Sequence, residues 1–288
     1  MKKQVSIAVC LTFISLAGCT QENATTDKNA EQVSKESNQP ANAEKSPNEA
    51  NPPATENPQS SGEDGNHNIP LSQEDVLSSI KEQFQDSLTP KLPKHLPLSS
   101  KEMQLSAATH SEDDFYRVIF FESKKAIPVN DKELNDKSVA KPIAVIEAKR
   151  YDTVQEAESK VGYTSPEDIQ TGNPPIDLGH SIKGHAEAGA GNKWVNWHEG
   201  RWYLQVHASN IKENNDDILL AKRMVDFLES NTLPVPNQYG AVKADVNQQK
   251  AEDNRISWQE GTTVYTVSEV EDPINMLEIA THFDDTEK

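Results

Sequence analysis

All four tryptophans and all six tyrosines of this 288-residue chain lie beyond Pro70, and that division decides where a core can form. Between Thr20 and Pro70 there is no aromatic residue, and Val33 and Ile69 are the only large aliphatic ones; Asn, Glu, Pro, Ser, Thr and Ala dominate the rest. Such a segment buries too little apolar area to offset the entropy of ordering it, so it is expected to be disordered. A flexible chain of about 51 residues reaches roughly 40 Å, the scale of a spacer. A segment that folds on binding is the competing reading. The roughly 218 residues that follow suffice for one large or two small domains.

Charge narrows the partners. The chain carries 46 acidic against 28 basic side chains, a formal net charge of -18. So few cations argue against nucleic acid as the main partner. Only one apolar run, near the N-terminus, approaches membrane-spanning length, which excludes a polytopic membrane protein. Met1-Lys2-Lys3 precedes the apolar stretch Val5 to Ala17, broken only by Ser6, Thr12 and Ser15. That is the layout of a secretory signal peptide.

The stretch ends in Leu16-Ala17-Gly18-Cys19. Here the chain resembles bacterial lipoproteins, whose Leu-Ala-Gly-Cys lipobox is cut before the cysteine after its thiol has been acylated. The resemblance implies a signal peptide over residues 1–18, lipidation (diacylglyceryl, palmitate-type chains) at Cys19, and a tether over 19–70. The folded region is then 71–288, held at the outer face of the cytoplasmic membrane. An ordinary signal peptide or a one-span anchor is the competing reading. Two acyl chains, at about 0.8 kcal/mol per buried methylene, give stable attachment where one does not. Cys10 would leave with the leader and Cys19 would be consumed by lipid, so the body would hold no thiol. Disulfides, thiolate metal sites, redox motifs and a cysteine nucleophile then drop out.

Within the body, Ser72-Gln73-Glu74-Asp75 followed by Val76, Leu77, Ile80 and Phe84 predicts an N-capped amphipathic helix. Pro90, Pro93 and Pro97, interleaved with Leu88, Leu92, Leu96 and Leu98, predict an extended stretch whose leucines pack along the domain. Phe115 to Glu122 and Ile143 to Tyr151 read as strands, followed by a helix from Thr153 to Val161 that Gly162 ends. Trp194 to Trp197 and Trp202 to His207 form a hairpin around Glu199-Gly200, before a helix over about 217–229. Ile256 to Gln259 and Val264 to Val267 pair around Glu260-Gly261, before a last helix started by Asp272-Pro273.

The pattern predicts an α+β fold: an antiparallel sheet built from repeated strand-strand-helix units with helices packed on one face. A split into two similar halves, with a sub-boundary within 162–192, is the alternative. The second and third units match locally, Trp197-His198-Glu199-Gly200 against Trp258-Gln259-Glu260-Gly261, with Tyr203 and Tyr265 soon after. The glycines suit turns with positive φ, and the tryptophans suit a core. These hairpins with their closing helices resemble uncharacterised envelope lipoproteins of Gram-positive spore-forming bacteria. That resemblance implies an extracytoplasmic module and carries over no active site.

Four histidines, His180, His185, His198 and His207, fall within 28 residues, with Glu187 and Glu199 among them. Imidazole and carboxylate suit zinc, copper or nickel, yet the spacing matches no metal motif. The stretch 162–192 holds six of the twelve glycines and shows no clear periodicity, which marks a loop. It fails as a phosphate cradle, because no Lys-Ser/Thr follows the glycines. Gly179-His180-Ser181-Ile182-Lys183 lacks the closing glycine of a nucleophile elbow. Trp194, Trp197, Trp202 and Tyr203 crowd ten residues, and those not used in packing suit a sugar ring or a peptide. The candidate ligand-binding residues are therefore His180, His185, His198, Trp197 and Trp202. No catalytic set and no cofactor is assigned. The expected function is a non-catalytic binding or scaffolding module of the cell envelope, its partners the membrane through the lipid and an envelope protein or wall polymer. The alternatives are a metal-binding protein using His180, His185, His198 and His207, and a carbohydrate or peptidoglycan binder.

Overall fold

The computed structural model describes residues 71–84, 88–169, 172–210, 214–247 and 253–283, which belong to one compact unit. The leader, Cys19 and the spacer lie outside the described residues. Helix α1 (Gln73–Glu82) starts as its letters require: the Ser72 hydroxyl accepts from Asp75 N at 3.1 Å and the Asp75 carboxylate accepts from Ser72 N at 3.0 Å. Val76, Leu77 and Ile80 form its buried stripe. The proline-rich stretch then runs as a strap over the core. Leu88, Leu92 and Leu96 are buried, and the Gln73 side chain brackets the Leu96 backbone at 2.9 and 3.0 Å.

Ten strands follow: β1 (Gln104–Glu112), β2 (Phe115–Ser123), β3 (Ala140–Arg150), β4 (Ile176–Gly179), β5 (Ile182–Gly189), β6 (Asn192–Glu199), β7 (Trp202–Ser209), β8 (Gly240–Asp245), β9 (Arg255–Glu260) and β10 (Thr263–Ser268). They form one sheet in the order β1-β2-β3-β10-β9-β8-β7-β6-β5-β4. Every neighbouring pair is antiparallel except β7 with β8. That parallel pair needs a crossover, which helix α3 (Asp216–Leu228) supplies. Helices α2 (Val154–Val161) and α4 (Pro273–Thr281) follow β3 and β10.

The fold class is mixed α+β, as the pattern predicts, but two finer expectations change. Helices α1, α3 and α4 cover one face, over a core that includes Trp197, Leu204, Val206, Val242, Ile256, Trp258 and Val267. Helix α2 lies on the other face, where Ala157 and Val161 pack with Tyr203, Ala241 and Val264. Since successive strand residues point to opposite faces, Val264 and Tyr265 cannot serve the same layer. The order is also richer than strand-strand-helix, because β1, β5 and β8 each precede a predicted hairpin and β4 precedes β5.

The stretch 162–192, expected as a loop, contains the β4–β5 hairpin. Its periodicity is hidden because a small residue faces the core: a Cβ at Gly184 would sit 2.9 Å from Leu178 and 3.1 Å from Val195. The two Glu-Gly turns form as expected. Glu199 pairs with Trp202 and Glu260 with Thr263, with Gly200 at φ 59 and Gly261 at φ 61. Positive φ at the first central residue alone is the mark of a type II′ hairpin turn.

At the parallel junction Trp202 pairs with Gly240, and a Cβ there would meet the indole at 2.5 Å. Gly240→Ala is expected to destabilise by about 1–3 kcal/mol, as overpacking does. The readout is a lower urea midpoint at unchanged slope. Gly189→Ala, whose added methyl would meet nothing within 4 Å, should stay within about 0.5 kcal/mol of the parent; equal midpoints for the two variants would contradict this packing.

Candidate functional site

The side chains proposed for ligand binding separate onto the two faces of the sheet. Trp197 is 1% exposed and donates its indole N–H to Glu199 at 2.8 Å; Trp202, 6% exposed, donates to Pro234 O at 3.2 Å. Both are core residues under the helices. His180 stands in the β4–β5 turn with Ser181, at φ 48 and 67. Its ring sits between Asp226 of α3 (3.0 Å) and Glu229, which caps that helix (3.6 Å). It therefore fastens the turn to that helix.

His185, His198 and His207 lie on the second face, with the polar side chains of β5 to β8. Cross-strand pairing aligns two rows. His185, Asn196, Gln205 and Lys243 are successive partners, and so are Glu187, Trp194, His207 and Asp245. Asn196 Oδ1 accepts from Tyr203 OH at 2.8 Å and from Gln205 Nε2 at 2.9 Å. Burial raises the Tyr203 phenol above its ordinary range. His198 Nε2 is 2.9 Å from Thr164 O, and its ring packs against Tyr163. His207 holds Asp245 Oδ2 at 2.5 Å through Nδ1 and Asn192 Oδ1 at 2.9 Å through Nε2. Trp194, partly exposed, packs against the His207 ring with centroids 5.5 Å apart.

Among the described residues, one buried group in these rows has no hydrogen-bond partner, the Nδ1 of His185. Leaving a buried polar atom unpaired costs about 1–3 kcal/mol, and such atoms call for an explanation. Asn196, Gln205 and Asp245 were not singled out from the letters, and Trp194 was named with the aromatic cluster but not among the candidate ligand residues. The usable signal was alternation: with Trp197 inward, Trp194, Asn196 and His198 must face away. Among the described residues, no group of three or more His, Cys, Asp or Glu side chains is arranged to hold a metal ion. One cavity lies away from these rows, at the start of α4. No family model, curated protein or solved structure matches the chain.

The repeated hairpins differ in how they treat their glutamates. Trp258 donates to Glu260 at 2.9 Å as Trp197 does to Glu199. Glu260 also receives Lys91 Nζ from the strap at 2.5 Å. Among the described residues, no lysine pairs with Glu199. Burial pushes its carboxyl above the ordinary glutamate range, the Trp197 hydrogen bond opposes that, and the Glu229 charge adds to the rise. A carboxyl whose folded value is raised binds more protons folded than unfolded, so its contribution to stability falls as pH rises from the ordinary glutamate range through that raised value. Glu199→Gln keeps the acceptor for Trp197 and removes the charge. It should raise the melting temperature at pH 7 by roughly 1–3 °C and leave it unchanged near pH 4; a lower melting temperature at pH 7 would contradict the assignment.

Proposed function

We propose that this protein is a lipid-anchored, extracytoplasmic, non-catalytic binding module of the cell envelope, and that it holds a wall polymer on the polar rows of β5 to β8. The observation that carries the reading is the combination on that surface of a partly exposed indole, Trp194, with the half-buried Gln205 and His207 side chains on the neighbouring strand. Sugars are recognised in this way, an aromatic face under the C–H surface and fixed donors and acceptors for the hydroxyls.

Support for a binding rather than a catalytic role comes from His207. Paired with Asp245, it spends its other nitrogen on Asn192 and not on a hydroxyl nucleophile. The anchor reading rests on Leu16-Ala17-Gly18-Cys19 and the leader before it. Reading the body as a repeated module rests on the two Trp-x-Glu-Gly hairpins, each followed by a helix, α3 or α4, on the same face.

Sedimentation of the full-length protein with purified wall material tests the polymer reading, with membrane fractionation as a separate readout of the anchor. Retention on the wall is expected, falling about tenfold for a Trp194→Ala, Gln205→Ala double variant, in line with the loss of one aromatic contact and one hydrogen bond. Cys19→Ala should move the protein out of the lipid-anchored fraction. Absence of retention, or retention indifferent to Trp194, would overturn the binding surface; membrane attachment that survives Cys19→Ala would overturn the anchor.

A further inference from the structure

A cavity of about 590 Å³ opens where the strap crosses the ends of β2 and β3 beside the start of α4. Ile143, Val270 and Ile279 give it an apolar floor. Glu122 is also part of its lining, and that carboxylate is 4% exposed. The one hydrogen bond that Glu122 accepts among the described residues comes from a neutral donor, Ser99 N, at 2.8 Å. It has no ion-pair partner there. Lys141, its cross-strand neighbour, feels the Glu122 charge but gives its hydrogen bond to Glu271 at 2.9 Å; Glu271 foremost, and Glu122 after it, hold the ammonium above the ordinary lysine range. Glu269 is likewise engaged, by Arg117 at 3.2 Å, and Asp272 caps α4 by accepting from Ile274 N at 2.8 Å.

A carboxylate taken out of water costs several kcal/mol unless a countercharge meets it. Lys141, whose hydrogen bond goes to Glu271, meets the Glu122 charge only at longer range, so among the described residues no countercharge is in contact with this carboxylate, and the space beside it falls within the range of ligand pockets. The cavity is too large for a bare ion, and no set of metal ligands surrounds it among the described residues. The capped end of α4 leaves no free donor for an anion at Ile274. We infer that this cavity binds an organic cation, an ammonium head against Glu122 with an apolar body on Ile143, Val270 and Ile279.

Titrating the full-length protein with 2-phenylethylammonium, followed by methyl NMR of Ile143, Val270 and Ile279, tests the site. Saturable shifts at these methyls are expected, and the neutral isostere 2-phenylethanol should bind at least about tenfold more weakly, the loss expected when a charged hydrogen bond is removed. Glu122→Gln keeps the acceptor for Ser99 N and should weaken the ammonium by a similar factor. Methyls that do not move, an alcohol that binds as well as the ammonium, or an affinity unchanged in Glu122→Gln would each overturn the assignment. The ammonium and alcohol comparison uses the unaltered protein, so it decides the matter even where the variant fails to fold.

Discussion

The Trp202 ring lies across Gly240 at the single parallel junction of the sheet, and the register held there decides which side chains of β5 to β7 share a face with those of β8 to β10. A strand displaced by one residue turns every side chain to the opposite face. Such a slip would carry Leu204 and Val206 out of the core and bring Tyr203, Gln205 and His207 into it. No residue with a Cβ fits beside that indole without movement, so the pairing is specified sterically as well as by its hydrogen bonds. Both sides of the sheet depend on it, because α3 must return the chain to this one neighbour.

From that register the two faces acquire different chemistry. Under α1, α3 and α4 the sheet is apolar, and its polar atoms are hydrogen-bonded: Trp197 and Trp258 each donate to the glutamate two residues on, Trp202 donates to Pro234 O, and the Tyr116 hydroxyl donates to Lys91 O at 2.8 Å. Burial raises the Tyr116 phenol far above its ordinary range. Burial and the neighbouring Glu260 charge push Tyr265 up to about 12, so both phenols stay protonated and apolar in effect. The opposite face keeps amides, imidazoles and a partly exposed indole in rows. Part of that face is covered by α2, and the functional reading starts from the part where Trp194, Gln205 and His207 stay partly exposed.

Much of this architecture was legible in the letters, and the misses have physical causes. The hairpins at Glu199-Gly200 and Glu260-Gly261 announced themselves because a strand-strand turn needs a glycine at one fixed place. Helix α1 did so through its capping box, and the strap through leucines spaced by prolines. Strands β1 and β8 were missed: Gln104–Glu112 is largely polar, and Gly240–Asp245 is short and opens on a glycine chosen for its lack of a side chain. β5 was obscured because Gly184 yields its core position to Leu178 and Val195. The tryptophans misled for a related reason. Composition marks all of them as candidate platforms, and only the face each occupies, fixed by register with distant strands, separates Trp194 from Trp197 and Trp202. His180, adjacent in sequence to the other histidines, belongs to α3 in space.

The four indole N–H groups report on this division most directly, through hydrogen exchange resolved by NMR. The two-faced sheet predicts slow exchange at Trp197, Trp202 and Trp258, whose N–H groups donate to Glu199, Pro234 and Glu260 from buried rings. Trp194, on the polar side, should exchange far faster. Protection of Trp194 equal to the other three, or free exchange at Trp197 and Trp258, would contradict the account.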